Sequence, residues 1–197
     1  MKNVIAFFDF DGTITTKDSL LEFIRYVKGD LAFYFGFFLQ APVLILYKLQ
    51  MISNQRAKEI ILAYFFGNMD EIMFMRSCEN FIKEKLPSLI RPKALIEIKT
   101  LKNGGAEVVI VSASPQNWIR LWCESQGLEC IATKLVVADR KITGRIEGKN
   151  CHGKEKVNRI TTLFNLQQYS SIYAYGDTPG DRHMLALANI KFYKPFR

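Results

Sequence analysis

Five consecutive apolar residues, Val4-Ile5-Ala6-Phe7-Phe8, run directly into Asp9-Phe10-Asp11-Gly12-Thr13. An apolar run without polar alternation predicts a strand buried on both faces, as in a parallel sheet covered by helices. The two carboxylates stand two residues apart, and positions i and i+2 of an extended chain project to the same side. Asp9 and Asp11 are therefore expected to share a site at the strand's carboxyl end, where ligands collect in open α/β sheets. Carboxylates that close resist joint ionisation unless a cation lies between them. The simplest partner is Mg²⁺, which takes few carboxylates and completes its octahedron with water and substrate phosphate. A strand that merely ends in a solvated acidic turn carries the same letters, so the rest of the chain has to decide.

The 197 residues suffice for one core with an insertion, or for two small domains, and 49% hydrophobic content excludes a disordered chain. A net charge of +8 favours anionic partners: phosphorylated metabolites, nucleic acid or acidic lipid headgroups. Lysines and arginines are scattered, with no run of five, which disfavours nucleic acid. Cys78, Cys123, Cys130 and Cys151 form no C-x-x-C pair and fit reduced cytosolic thiols. Cys151-His152 alone is too little for a zinc site. A strand almost at the first residue leaves no room for a signal peptide, and a cytoplasmic location is expected.

After the opening strand, a loop leads into an amphipathic helix capped by Asp18 or Ser19, with Leu20, Leu21, Phe23, Ile24 and Val27 on its apolar face and Gly29 as its stop. From Leu31 to Tyr47 no residue is charged, but Gly36, Gln40 and Pro42 interrupt the stretch. It predicts a buried helical hairpin broken near Pro42. A transmembrane helix, a helix lying in a membrane interface and an apolar wall facing a greasy substrate are the alternatives. Helices follow over 53–66 and 70–85, and Pro87 and Pro92 close the segment. Residues 15–88 therefore read as an all-helical insertion, and 1–14 with 89–197 as an α/β core. In that core, helices alternate with strands over 107–111 and 171–175, residues 131–146 look like a β-hairpin, and 190–193 like a short last strand.

The three strong strands each end in reactive polar chemistry: Asp9 and Asp11, Ser112, and Asp177 with Asp181. In a parallel sheet these ends lie side by side. Asp177 can complete a metal site with Asp9, and Asp181, four residues on, can orient a neighbouring cation. Ser112 offers a hydroxyl, and the loop after it, through Ala113, opens a helix whose free N–H groups suit a phosphate. A transferring phosphoryl group also needs its charge neutralised. Lys154 and Lys156 compete for that part. Ile160 and Leu163 fall at +4 and +7 from Lys156, which favours Lys156 on the core-facing edge.

These motifs resemble the haloacid dehalogenase-like hydrolases, specifically the phosphoserine-phosphatase-like branch. Asp9-Phe10-Asp11-Gly12-Thr13 matches D-x-D-G-T, Ser112 follows Val108-Val109-Ile110-Val111, Gly153-Lys154-Glu155-Lys156 matches G-x-x-K, and Gly176-Asp177-Thr178-Pro179-Gly180-Asp181 matches G-D-x-x-x-D. The resemblance spans nearly the whole chain and implies a three-layer Rossmann-like core with a helical cap after the first motif. It implies Asp9 as a nucleophile forming an aspartyl-phosphate, and Asp11 as the acid and base, binding metal through its carbonyl. Ser112, Ala113, Gly12 and the lysine would hold phosphoryl oxygens. Asp9 and Asp177 would ligate Mg²⁺, with Asp181 and Thr13 in support. Asp11 argues for phosphate chemistry over dehalogenation, which needs neither this acid nor the metal.

The chain departs from phosphoserine phosphatases at Ser112-Ala113-Ser114, where they carry Ser-Gly-Gly. Asp18 stands near their cap glutamate, and Arg56 is a candidate for a substrate carboxylate. The expectation is Mg²⁺-dependent hydrolysis of a small phosphorylated metabolite, phosphoserine-like among them. The alternative is a lipid-phosphate or membrane-surface phosphatase or binding protein using the apolar 31–47 stretch.

Overall fold

A computed structural model describes residues 3–197. β1 (Val4–Phe8) leads into a helical insertion of α1 (Ser19–Leu39), α2 (Ala41–Lys48), α3 (Asn54–Phe66) and α4 (Glu71–Glu84). The chain continues through α5 (Pro92–Asn103), β2 (Glu107–Pro115), α6 (Gln116–Gln126) and β3 (Glu129–Thr133). A hairpin of β4 (Leu135–Ala138) and β5 (Lys141–Ile146) precedes α7 (Lys154–Leu163), β6 (Ser171–Gly176), α8 (Arg182–Leu187) and β7 (Ile190–Tyr193). Five strands form one parallel sheet in the order β3-β2-β1-β6-β7, a Rossmann-like α/β arrangement. The sheet grows from β1 through β2 to β3, then on the other side through β6 to β7. The direction reverses between β1 and β6, which is where such sheets open a crevice.

Alternation along β1 splits the interior into two layers. Ile5 and Phe7 face α7 and α8 through Ile160 and Met184. Ala6 and Phe8 face α5 and α6 through Ala94, Ile98 and Trp118. The second cluster continues into the insertion, where Phe23 packs on Phe66, Phe74 and Phe81 at 5.3–5.5 Å and on Trp118 at 4.6 Å. Trp118 Nε1 also donates to Ser19 Oγ at 3.0 Å, so the start of α1 is tied to the core by a buried polar contact as well.

Two expectations are corrected. Ile131 does not open a hairpin: β3 pairs in parallel with β2, Val111 beside Ile131, because its apolar residues complete the sheet edge. The true hairpin, β4–β5, packs on α3, and Gly144 at φ +78° lies so close that a Cβ there would come within 2.3 Å of the Ala63 backbone. Most importantly, the apolar 31–47 stretch is broken as expected but is not buried. Gly29 (φ +79°) kinks α1, and α1 and α2 meet at a bend of 54°. Only Phe33, Phe37 and Leu44, with buried Gly36, turn toward the interior, whereas α2 contains no buried residue. Among the described residues α3 packs on one side of the hairpin and none packs on the other, so its outer face is exposed. Among the described residues no single helix is long and apolar enough to cross a membrane.

Candidate active site

β1 and β6 are adjacent, with Phe8 beside Tyr175, so the residues that follow them emerge on either side of the crevice. Asp9 remains pinned to the sheet by its N–H, which donates to Tyr175 O at 2.9 Å. The chain then makes a wide turn over Phe10–Ile14, closed by the Thr15 N–H on Phe10 O. Gly12 sits in it at φ +80°, and a Cβ there would lie 2.4 Å from Asp177 Oδ2. The glycine after the two acids is thus required both by its backbone and by the approach of the facing carboxylate.

Asp9, Asp177 and Asp181 are 7%, 5% and 2% exposed, and one oxygen of each lies within 4.8 Å of the others. Lys156, also 2% exposed, donates to Asp9 Oδ1 at 2.5 Å and to Asp181 Oδ1 at 2.7 Å. This places Lys156, not Lys154, at the acids, on the face of α7 that buries Ile160, whereas Leu163, at the +7 offset, is 65% exposed. Asp181 Oδ2 accepts from Asp177 N, Thr178 N and Thr178 Oγ1, so both its oxygens are committed within the protein. Asp9 Oδ2 and Asp177 Oδ1 share only the long contacts of Thr13 Oγ1, at 3.2 and 3.4 Å. Two oxygen-donor carboxylates with spare lone pairs suit a hard cation such as Mg²⁺. Arg197 Nη2 pairs with Asp177 Oδ2 at 2.6 Å.

Charge follows burial. Burial, reinforced by Asp181 and Asp11, pushes Asp9 up to about 7 against the pull of Lys156. Burial works against the Lys156 ammonium too, but Asp9 and Asp181 outweigh it and raise its pKa, so it stays protonated. Burial likewise opposes ionised Asp181, and Lys156 with the Thr178 donors overcomes this and lowers its pKa.

Asp11 turns away from the three acids. Its Oδ1 accepts from Ser19 N at 2.6 Å and its Oδ2 from Ser114 Oγ at 2.6 Å, which aims it at the start of α1. Asp9 and Asp11 nevertheless line one cavity of about 410 Å³, together with Asp18, Lys156, Asp177 and Asp181. Gly12 and Ala113 also line it, although the Gly12 N–H already donates to Thr15 Oγ1. Asp18 caps α1, accepting from Leu20 N and Leu21 N, and burial beside Asp11 pushes it up to about 6.

Two expected positions fall elsewhere. Ser112 is fully buried behind the cavity wall, its Oγ taken by Ser114 N at 3.0 Å and 3.4 Å from Asp11 Oδ2, while Ser114 lines the cavity. Arg56 is exposed and does not reach the cavity; Lys58 does, with its Nζ on Ala113 O at 3.0 Å. Asn54 lines the cavity as well, and Asn54 and Lys58 are one helical turn apart, whereas Arg56 lies across α3. That spacing was the signal available in the sequence. His152, set aside with Cys151, also lines the cavity, and burial with Lys156 and Lys58 keeps its pKa low.

The model of the haloacid dehalogenase-like hydrolases matches residues 6–186. Protein CicA of Caulobacter vibrioides is 34% identical over 98% of this chain and 87% of its own length. A Bordetella pertussis protein of unknown function has a similar structure, with a TM-score of 0.83 and 19% identity over 97% of this chain and 89% of that one. A phosphoserine phosphatase solved as its phospho-aspartyl intermediate analogue gives a TM-score of 0.71 and 21% identity, over 97% of this chain and 86% of that one.

Proposed function

The chain belongs to the haloacid dehalogenase-like hydrolases, and on that premise we propose that it hydrolyses phosphate monoesters through an aspartyl-phosphate on Asp9, with Mg²⁺ as cofactor. The observation that carries this reading is the meeting of Asp9 and Asp177 across the β1/β6 crevice, with Lys156 bridging Asp9 and Asp181. Asp9 and Asp177 would hold the metal, with the Asp11 carbonyl, and the metal would supply positive charge to the phosphoryl group. Asp9 attacks phosphorus, and the bond to the leaving oxygen breaks as Asp11 gives that oxygen a proton. Asp11 then takes a proton from the water that cleaves the acyl phosphate, which releases inorganic phosphate and restores Asp9. Lys156 and the Ala113 loop face the phosphoryl oxygens, and Asp181 and Thr13 hold Lys156 and Asp9 in place. Ser112, behind the wall, acts by fixing the Ser112–Ser114 turn and Asp11.

Residues 15–88 act as a cap in this reading, because Asp18, Asn54 and Lys58 put insertion side chains into the catalytic cavity. Replacing Asp9 by asparagine is expected to abolish Mg²⁺-dependent hydrolysis of an aryl phosphate while leaving circular dichroism unchanged. Activity at the wild-type level in that variant would refute the mechanism, and so would beryllium fluoride with Mg²⁺ binding anywhere but Asp9.

A further inference from the structure

The outer face of the α1–α2 hairpin is apolar, and no described residue packs against it. Leu31, Phe35 and Phe38 are 89%, 62% and 75% exposed, and Ile45, Leu49 and Met51 continue the surface at 57–69%. The inner face, Phe33, Gly36 and Phe37, is seated on α3, where a Cβ at Gly36 would come within 2.5 Å of the Phe65 ring. The helix is therefore apolar all round although only one side is packed. That is the composition of a helix whose second side meets another apolar medium.

Length and charge identify the medium. Asp30–Leu39 and α2 are 10 and 8 residues, roughly 15 and 12 Å long, so neither alone crosses a hydrocarbon core of about 30 Å, and the 54° bend with the inner face seated on α3 keeps the pair from spanning it together. They suit an element lying in the interface. The chain from Leu31 to Lys58 carries Lys48, Arg56 and Lys58 and no carboxylate. Asp30, just before it, is already paired with Arg25. A second copy docked on this face would bring its own Lys48 and Arg56 without a counter-charge, whereas anionic headgroups supply one. Tyr34 and Tyr47, partly exposed, are residues that favour the headgroup level.

The patch also runs into the catalytic cavity. Tyr47 Oη accepts from Asn54 Nδ2 at 3.1 Å, and Asn54 lines that cavity beside Lys58. The exposed Leu49 and Met51 lie on the chain between them. We infer that the α1–α2 hairpin docks on an anionic lipid bilayer and holds the cavity at headgroup level, so that the substrate is a phosphate monoester carried by a lipid. The substrate part rests on the phosphatase reading above; the docking does not.

The test uses the full chain and a Phe35→Glu/Phe38→Glu variant, whose positions are exposed and outside the catalytic machinery. Wild type is expected to float with phosphatidylcholine vesicles containing about 30% phosphatidylglycerol, and less with phosphatidylcholine alone. The variant is expected to float at least about tenfold less. Both should hydrolyse a soluble aryl phosphate at rates within about twofold, and the variant should release phosphate from vesicle-borne phosphatidic acid at least about tenfold more slowly. Wild type that stays with the soluble fraction overturns the docking. So does a concentration-dependent dimer that the variant dissolves without any flotation, which would give the face to a second copy. Flotation with aryl phosphate hydrolysed but phosphatidic acid untouched overturns the lipid substrate. Flotation with no hydrolysis of either supports the docking and refutes the phosphatase reading instead.

Discussion

Replacing Lys156 by methionine removes the ammonium between Asp9 and Asp181 and leaves a side chain of similar length in its place. Three carboxylates then remain, none more than 7% exposed, with oxygens within 4.8 Å of one another. Two unit charges at that separation repel by about 3.5 kcal/mol at an effective dielectric of 20. The figure agrees with the roughly 3–5 kcal/mol lost when one partner of a buried pair is removed. For a chain of this size 1 kcal/mol moves Tm by about 2–4 °C, so the metal-free variant should unfold about 10 °C below the wild type. Mg²⁺ at Asp9 and Asp177 replaces part of the missing charge, so the difference should narrow in its presence. Protonation of Asp9, raised to about 7 even with Lys156 beside it and further without it, should narrow it too as the pH falls toward 7 from the alkaline side. Thermal unfolding by circular dichroism, in EDTA and in Mg²⁺, reads all three effects. A variant within about 2 °C of the wild type in EDTA would refute the electrostatic account of this cluster.

Asp11→Ala should lower turnover of an alkyl phosphate by about 10²–10⁴-fold, since the poor leaving group needs the proton. An aryl phosphate should still give a burst of phenol stoichiometric with enzyme, and the absence of that burst would move the acid role elsewhere. Asp9, raised from 3.8 to about 7 by burial, takes up a proton that a metal must displace. Mg²⁺ affinity by calorimetry should therefore weaken by up to about tenfold per pH unit below 7, and a flat profile would count against Asp9 as a ligand. The same raised pKa favours the metal-free fold below the ordinary value of 3.8 and is lost as pH rises through about 7. The Mg²⁺-induced rise in Tm should accordingly be larger at about pH 8 than at about pH 6. Gly144→Ala places a Cβ 2.3 Å from the α3 backbone at a left-handed φ and should cost about 3 kcal/mol in urea unfolding, whereas a cost under about 1 kcal/mol would mean that the β4–β5 hairpin is not held on α3.

Much of the molecule was legible because its signals are local. Apolar runs and their polar ends sit within ten residues of each other, so β1, β2 and β6 and the polar residues at or near their ends follow from the chain. The +4 offset to Ile160 points to Lys156 over Lys154, and Gly29 and Pro42 mark where the helices bend or break. The edge strand β3 is not legible locally, because its partner, β2, precedes α6 and lies outside a local window.

What only the tertiary structure decided depends on neighbours brought from far along the chain. Ser112 lies behind the cavity wall because Asp11, 101 residues away, and Ser114 claim its hydroxyl. Helical spacing sets Lys58 apart from Arg56, but what fixes it in the cavity is Ala113 O, 55 residues on, which accepts a hydrogen bond from its ammonium. The largest reversal concerns residues 31–47. Hydropathy recorded that these side chains avoid water, and that much was intrinsic to the sequence. Whether protein covers them is a matter of how many layers pack there, and the fold supplies α3 on one side only.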